Sequence, residues 1–168
     1  MTKRDERVAA EVADPAAFSE WVRPHLTHVA HLVGRMAPWA ERDDLTQEAL
    51  FRAWRMRHTY DPLRGTPSTW LLAIAANVAL KARRVRIFGR MPPDLASAGV
   101  EEASAKRLDI ERALKHLSPR QRLAIECYYF VDLGIAEIAA VMGCSEGTVK
   151  STLADARAKL RQLLEVVE

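Results

Sequence analysis

Between Ala75 and Pro93 the chain carries five cations, Lys81, Arg83, Arg84, Arg86 and Arg90, and no acid. Five positive side chains within ten positions suit contact with a polyanion such as a nucleic-acid backbone. A solvated basic helix end that complements the helix dipole is the plainer reading of the same run. A second feature is the run Ile135–Leu164. Ile135, Ile138, Ala139 and Met142 recur at helical spacing, and Gly143 supplies a left-handed stop. Ser145 then offers an N-cap to a longer helix with the apolar stripe Val149, Leu153, Ala156, Leu160, Leu163 and Val167. This is the sequence form of a helix-turn-helix, whose second helix can enter the DNA major groove; an ordinary helical hairpin is the alternative. A third feature, His25, His28 and His31, hints at a metal site. No fourth ligand or carboxylate pair accompanies it, so surface or half-buried histidines explain it better.

These groups need elements to position them. The 168 residues allow one medium domain or two small ones, and 49% hydrophobic content is enough for folded cores. The net charge of +3 permits a polyanion partner without demanding one. Its distribution says more: residues 1–100 hold 15 Lys+Arg and 11 Asp+Glu, net +4, whereas residues 101–168 hold 10 and 11, net −1. Cys127 and Cys144 have neither disulfide nor zinc spacing and read as buried free thiols. The charged N-terminus has no apolar core of signal-peptide length, and the apolar run Trp70–Leu80 is too short to span a bilayer. A cytoplasmic protein without membrane insertion is expected. There is no phosphate loop, nucleophile elbow or zinc-protease motif, so neither an enzyme nor a cofactor is expected.

Helix starts punctuate the chain. Asp14-Pro15 opens a first helix carrying Phe18, Val22, Leu26, Val29, Leu32 and Val33, which Pro24 splits or kinks. Asp44 is predicted to cap the next, with Gln47 completing a capping-box-like pair and Leu45, Ala49, Ala53 and Met56 forming a stripe. A turn at Tyr60–Gly65 leads to Thr66-Pro67, the cap and first turn of a helix running into the basic stretch. Residues 89–104, with Pro92, Pro93 and Gly99, read as a flexible linker. Ser118-Pro119-Arg120-Gln121 is a further capping box. No segment alternates as a strand would. The expected fold is all-α: two small helical domains, 15–88 and 105–168, on a flexible linker, the second containing the helix-turn-helix.

Two regions resemble one family. Asp43-Asp44-Leu45-Thr46-Gln47-Glu48-Ala49-Leu50-Phe51-Arg52-Ala53-Trp54 is similar to the pattern D-L-x-Q-E-x-F-x-R-A-W of bacterial sigma factors, within them the extracytoplasmic-function (ECF) group. Tyr60-Asp61-Pro62, Gly65, Thr69-Trp70-Leu71 and Ile74-Ala75-Ala76-Asn77 resemble the next motif of the same domain. Leu117–Arg122, Glu137-Ile138-Ala139 and Gly147–Ser151 resemble the family's second domain.

The resemblance implies a factor that joins core RNA polymerase, recognises and melts the −10 element with its first domain, and binds the −35 duplex with its second. It also implies an anti-sigma protein as partner. The free protein is expected to be a monomer. The residues implied to dock on polymerase are Asp44, Gln47, Glu48, Phe51 and Trp54, although Phe51 and Trp54 could instead pack internally, Trp54 lying beside the apolar stripe. Those implied to meet the −10 strand are Arg64, Gly65, Thr66, Ser68, Asn77, Lys81, Arg83 and Arg84. Asn77 could read a base edge or bond backbone groups inside its domain.

Ser145, Thr148, Lys150, Ser151, Thr152, Asp155 and Arg157 are implied for the −35 element. Many relatives have basic or aromatic residues at positions matching Thr152, Ala154 and Asp155. Here Asp155 would repel phosphate or accept from a cytosine amino group. The second domain is therefore expected to read DNA only when polymerase supplies the remaining affinity. A dimeric operator-binding regulator is the alternative, but it leaves Asp44–Trp54 unexplained. A sigma mimic that titrates an anti-sigma partner is a third reading.

Overall fold

The computed structural model describes residues 14–38, 40–88 and 102–165. The described residues are helical, with no strand among them. They fall into two units, Met1–Val85 and Arg86–Glu168, each with its own core.

The first unit holds α1 (Pro15–Val22), α2 (Leu26–Met36), α3 (Arg42–Met56) and all but the last turn of α4 (Pro67–Phe88). Asp14 starts α1 by accepting from the amides of Ala16 and Ala17, both at 2.9 Å, with Pro15 in the first turn. Pro24 cannot donate to a continuing helix, and a single 3-10 turn, Arg23–His25, separates α1 from α2. Within α2, Val29, Leu32, Val33 and Met36 are buried; Leu26 is only half-buried. Small residues let α3 approach: Ala49 and Ala53 are buried on its inner face, and a Cβ on Gly34 would stand 3.1 Å from Arg42 Cδ. The predicted stripe breaks at its end, where Met56 is exposed.

The predicted start of α3 is corrected. The helix begins at Arg42, with Glu41 as a cap that makes no side-chain bond, so Asp44 caps nothing and the Asp44–Gln47 capping box does not form. Asp43 and Asp44 sit in the first turn, where acids favour the dipole, and Thr46 Oγ1 donates back to the Arg42 carbonyl at 2.8 Å.

α4 is the spine of the unit. Leu71, Leu72, Ile74, Ala75, Ala76, Val78 and Ala79 are all buried, a pattern found when a helix is enclosed on most sides. Between Leu71 and Ala79 only Asn77 is exposed.

The second unit holds α5 (Glu102–Lys115), α6 (Pro119–Tyr129), α7 (Ile135–Met142) and α8 (Glu146–Glu165), and α8 packs against the other three. The Ser118 box forms: Gln121 N–H donates to Ser118 Oγ at 3.2 Å and Ser118 N–H to Gln121 Oε1 at 3.0 Å. α6 ends at Tyr129. Val131 and Leu133 then turn their amides back to the carbonyls of Glu126 and Cys127, both at 3.0 Å, through Asp132 at φ 60. Asp tolerates this left-handed position better than most residues. Gly134 N–H donates to Glu137 at the start of α7, and Gly143 (φ 62) ends that helix as predicted.

One feature of α6 escapes its sequence. Arg122 and Glu126 are buried, 3.3 Å apart, and Glu111 of α5 approaches Arg122 at 3.9 Å. Beside them Cys127 is fully buried, its thiol pushed up to about 12 by burial and then by Glu126. Cys144, expected to be buried as well, is only half-buried in the turn after Gly143.

Candidate functional site

The basic run and its neighbours sort by helix geometry. Asn77, Lys81 and Arg84 recur at spacings of four and three, which puts them on one stripe of α4, and all three are exposed. Arg83 lies off that stripe and is half-buried; partial burial draws its guanidinium below the ordinary arginine value. The exposed amide of Asn77 keeps both donor and acceptor outward rather than folded into the domain.

The loop before α4 is braced. Asp61 accepts the Leu63 amide through its side chain at 2.9 Å and the Arg64 amide through its carbonyl at 3.0 Å. Thr66 caps α4: its hydroxyl accepts the Thr69 amide at 3.2 Å, and the Thr69 hydroxyl donates to the Thr66 carbonyl at 3.0 Å. A Cβ on Gly65 would meet that buried Thr69 hydroxyl at 2.8 Å, so the close approach requires glycine. Arg64 and Thr66 are exposed, Gly65 and Ser68 half-buried, and Leu63 is 90% exposed.

Behind the loop stands an aromatic cluster that the sequence did not announce. Trp21, Tyr60 and Trp70 contact one another edge to face, with centroids 5.2–5.9 Å apart. The Tyr60 hydroxyl also donates to the Gly65 carbonyl at 3.3 Å. Trp21, from a distant segment, thus joins the loop's own Tyr60 and Trp70 of α4 in fixing one short loop, and no local signal marks it as belonging there.

On α3, Asp44, Gln47 and Phe51 share an exposed face opposite Ala49 and Ala53. Phe51 is 56% exposed, with the Arg55 guanidinium 5.8 Å from its ring. Glu48 is held by Arg52 at 2.6 Å. Trp54 takes the inward alternative: its ring meets Phe18 edge to face at 5.3 Å, and Arg57 lies 3.8 Å over it.

In the second unit Ser145 caps α8, accepting the Thr148 amide at 3.1 Å, and the two hydroxyls lie 2.9 Å apart. Lys150, Ser151 and Asp155 are exposed and Thr152 half-buried. Arg157 differs from the rest. Its Nε donates to the Tyr129 hydroxyl at 2.9 Å and its guanidinium lies 5.1 Å from the Tyr128 ring, so it joins α8 to α6. His25 is half-buried and lowered by burial and then by His28, while His28 and His31 are exposed. Among the described residues no cluster of His, Cys, Asp or Glu is placed to hold a metal, and no helix is long and apolar enough to cross a membrane.

The two units coincide with two matched family profiles. The profile of Sigma-70 region 2 matches residues 21–86, and that of Sigma-70 region 4 matches residues 107–160. The ECF RNA polymerase sigma factor RpoE of Cereibacter sphaeroides is 30% identical over 166 residues, spanning 93% of this chain and 91% of the relative. The chain belongs to the ECF RNA polymerase sigma factors. The ECF sigma factor SigL of Mycobacterium tuberculosis is 32% identical over 134 residues, 75% of this chain and 76% of its own.

Solved structures of similar fold agree. CnrH, in complex with the cytosolic domain of CnrY, superposes with a TM-score of 0.73 at 26% identity, covering 98% of this chain and 99% of its own. The sigma factor RpoE of Bartonella quintana, in complex with the anti-sigma factor NepR, gives 0.67 at 26% identity, covering 90% and 98%. As an ECF sigma factor the protein recognises promoters and initiates transcription with RNA polymerase.

Proposed function

We infer that the two units divide the promoter between them. The first reads and opens the −10 element with Asn77, Lys81 and Arg84 and with the braced loop Arg64, Gly65, Thr66 and Ser68, Arg83 supporting from the edge. The second lays α8 in the −35 duplex, using the amides behind Ser145 and Thr148 together with Lys150, Ser151, Thr152 and Asp155. The observation that carries the reading is the exposure pattern of α4. A helix enclosed on most sides leaves one stripe outward, and that stripe holds an amide able to read a base edge and two cations able to meet phosphate.

Asp44, Gln47, Glu48 and Phe51 form the docking face for core polymerase, an aromatic centre within a polar rim. Trp54 supports that face from inside by packing on Phe18. Arg157 serves the −35 surface by holding α8 on α6. An anti-sigma protein is a further partner, supported by relatives of the same fold that were solved with CnrY and NepR. The place of action is the cytoplasm, where core polymerase and promoter are found.

Run-off transcription with reconstituted holoenzyme tests the reading. Asn77→Ala and the Lys81→Ala/Arg84→Ala pair are expected to reduce open-complex formation on a cognate promoter at least tenfold, with core polymerase affinity unchanged. Equal transcription by these variants would refute the −10 assignment.

A further inference from the structure

α8 buries Val149, Leu153 and Ala156 and turns the opposite face to solvent. On that face Thr148, Ser151 and Asp155 follow one another at spacings of three and four, so the carboxylate stands one turn beyond the Ser151 hydroxyl. The hydroxyls are already engaged within the helix: Thr148 pairs with Ser145, and Ser151 donates to the Thr148 carbonyl at 3.0 Å. Arg157, two residues beyond Asp155, is turned onto Tyr128 and Tyr129. Lys159, one turn further on, is exposed and makes no ion pair with Asp155, which has none among the described residues. Asp155 is thus an exposed carboxylate on this face with no partner among the described residues, and the exposed cation Lys159 stands one turn beyond it.

An anion facing a DNA groove is repelled by both phosphate strands. A hydrogen bond accepted from a base offsets that repulsion and ties it to sequence. In the major groove guanine presents two acceptors, and thymine an acceptor and a methyl group. Adenine presents its amino donor beside the N7 acceptor, which opposes a carboxylate. Cytosine presents the N4 amino donor alone.

Resting on the reading of α8 as the helix that enters the −35 duplex, we propose that Asp155 is a specificity-determining residue that accepts a hydrogen bond from the N4 amino group of a cytosine. A helix rises ~1.5 Å per residue, so Asp155 stands about 6 Å along the axis from Ser151, close to two base-pair steps. The same carboxylate rejects guanine and thymine at that position by opposing one acceptor with another, so it filters as well as anchors.

The test is run-off transcription by reconstituted holoenzyme from a promoter library randomised across the −35 element, with the transcribed templates sequenced. The native protein is expected to favour cytosine at one position by on the order of tenfold. Asp155→Ala removes that preference and leaves the other −35 positions unchanged. Asp155→Asn, which keeps the shape and offers a donor beside an acceptor, moves the preference towards adenine. If Asp155→Ala keeps the cytosine preference, or raises transcription from all sequences alike, the proposal is overturned while the −35 reading stands. A native protein indifferent to every −35 position overturns the −35 reading and the proposal with it.

Discussion

Arg157 Nε donates to the Tyr129 hydroxyl at 2.9 Å, joining positions 28 residues apart in the chain. A residue that spacing along α8 would offer to DNA instead fastens that helix to the end of α6. The guanidinium also lies over the Tyr128 and Tyr129 rings, at 5.1 and 5.5 Å. Tyr129→Phe, which removes only the hydrogen bond, should cost ~1 kcal/mol. Arg157→Ala should cost about 1–2 kcal/mol, since the ring contact goes as well. Urea unfolding followed by circular dichroism measures both. Base preference at the −35 element should stay as it was in either variant; a change at one base position would return Arg157 to the reading surface.

Phe51 and Trp54 lie three residues apart on α3 and should behave oppositely. Phe51→Ala removes an exposed ring and should leave thermal stability within ~0.5 kcal/mol. It should weaken core polymerase binding by about 2 kcal/mol or more, as a central aromatic anchor would. Trp54→Ala opens the contacts with Phe18 and Arg57 and should destabilise the protein by ~3 kcal/mol or more. Titration of labelled protein with core polymerase, alongside a thermal melt, separates the two. Equal loss of binding and stability in both variants would refute the division.

The buried Arg122–Glu126 pair invites an asymmetric test. Glu126→Ala leaves a cation in the core beside α5 and should cost roughly 3–5 kcal/mol. The double change Arg122→Met/Glu126→Leu removes both charges and should recover most of that loss. If the double variant is no more stable than Glu126→Ala, the pair matters through bonds that apolar residues cannot replace. Chemical denaturation of the full chain gives the comparison.

The cysteines should differ in reactivity. With its thiol at about 12, Cys127 is only about one part in ten thousand thiolate at pH 8. Iodoacetamide should therefore label Cys144 in the native protein and reach Cys127 only on unfolding, as peptide mass spectrometry would read out. The raised value also sets a sign. The unfolded thiol ionises first, so the contribution of Cys127 to stability is whole below its ordinary value of about 8.5 and is lost as pH rises towards 12. Cys127→Ala should flatten that alkaline decline, and an unchanged slope would assign it to other groups.

Helix starts were legible because a cap is a contract between neighbours. Asp14, Thr66, Ser118 and Ser145 each bond an amide two or three residues on, as their sequence positions suggested. Asp44 failed by the same logic: Arg42 and Asp43 are equally able to enter a first turn, and α3 took them in. Asn77 and Phe51, for which the sequence left an inward alternative open, both lie outward. What stayed hidden depends on distant segments meeting. Trp21 says nothing locally about Tyr60 and Trp70, nothing local marks Arg122 and Glu126 as a buried pair, and Arg157 gives no sign of Tyr129. The lettering of α6 alternates charge and apolarity in a way that conceals how fully it is enclosed.

α4 is both the central beam of its unit and the carrier of Asn77, Lys81 and Arg84. A beam enclosed on most sides cannot bend to suit a ligand without disturbing every layer that rests on it. Under the proposed −10 reading the protein meets the promoter as a stiff template, and the distortion of opening falls on the duplex. Promoters should then be ranked by how readily their −10 base pairs unstack as much as by the bases they display.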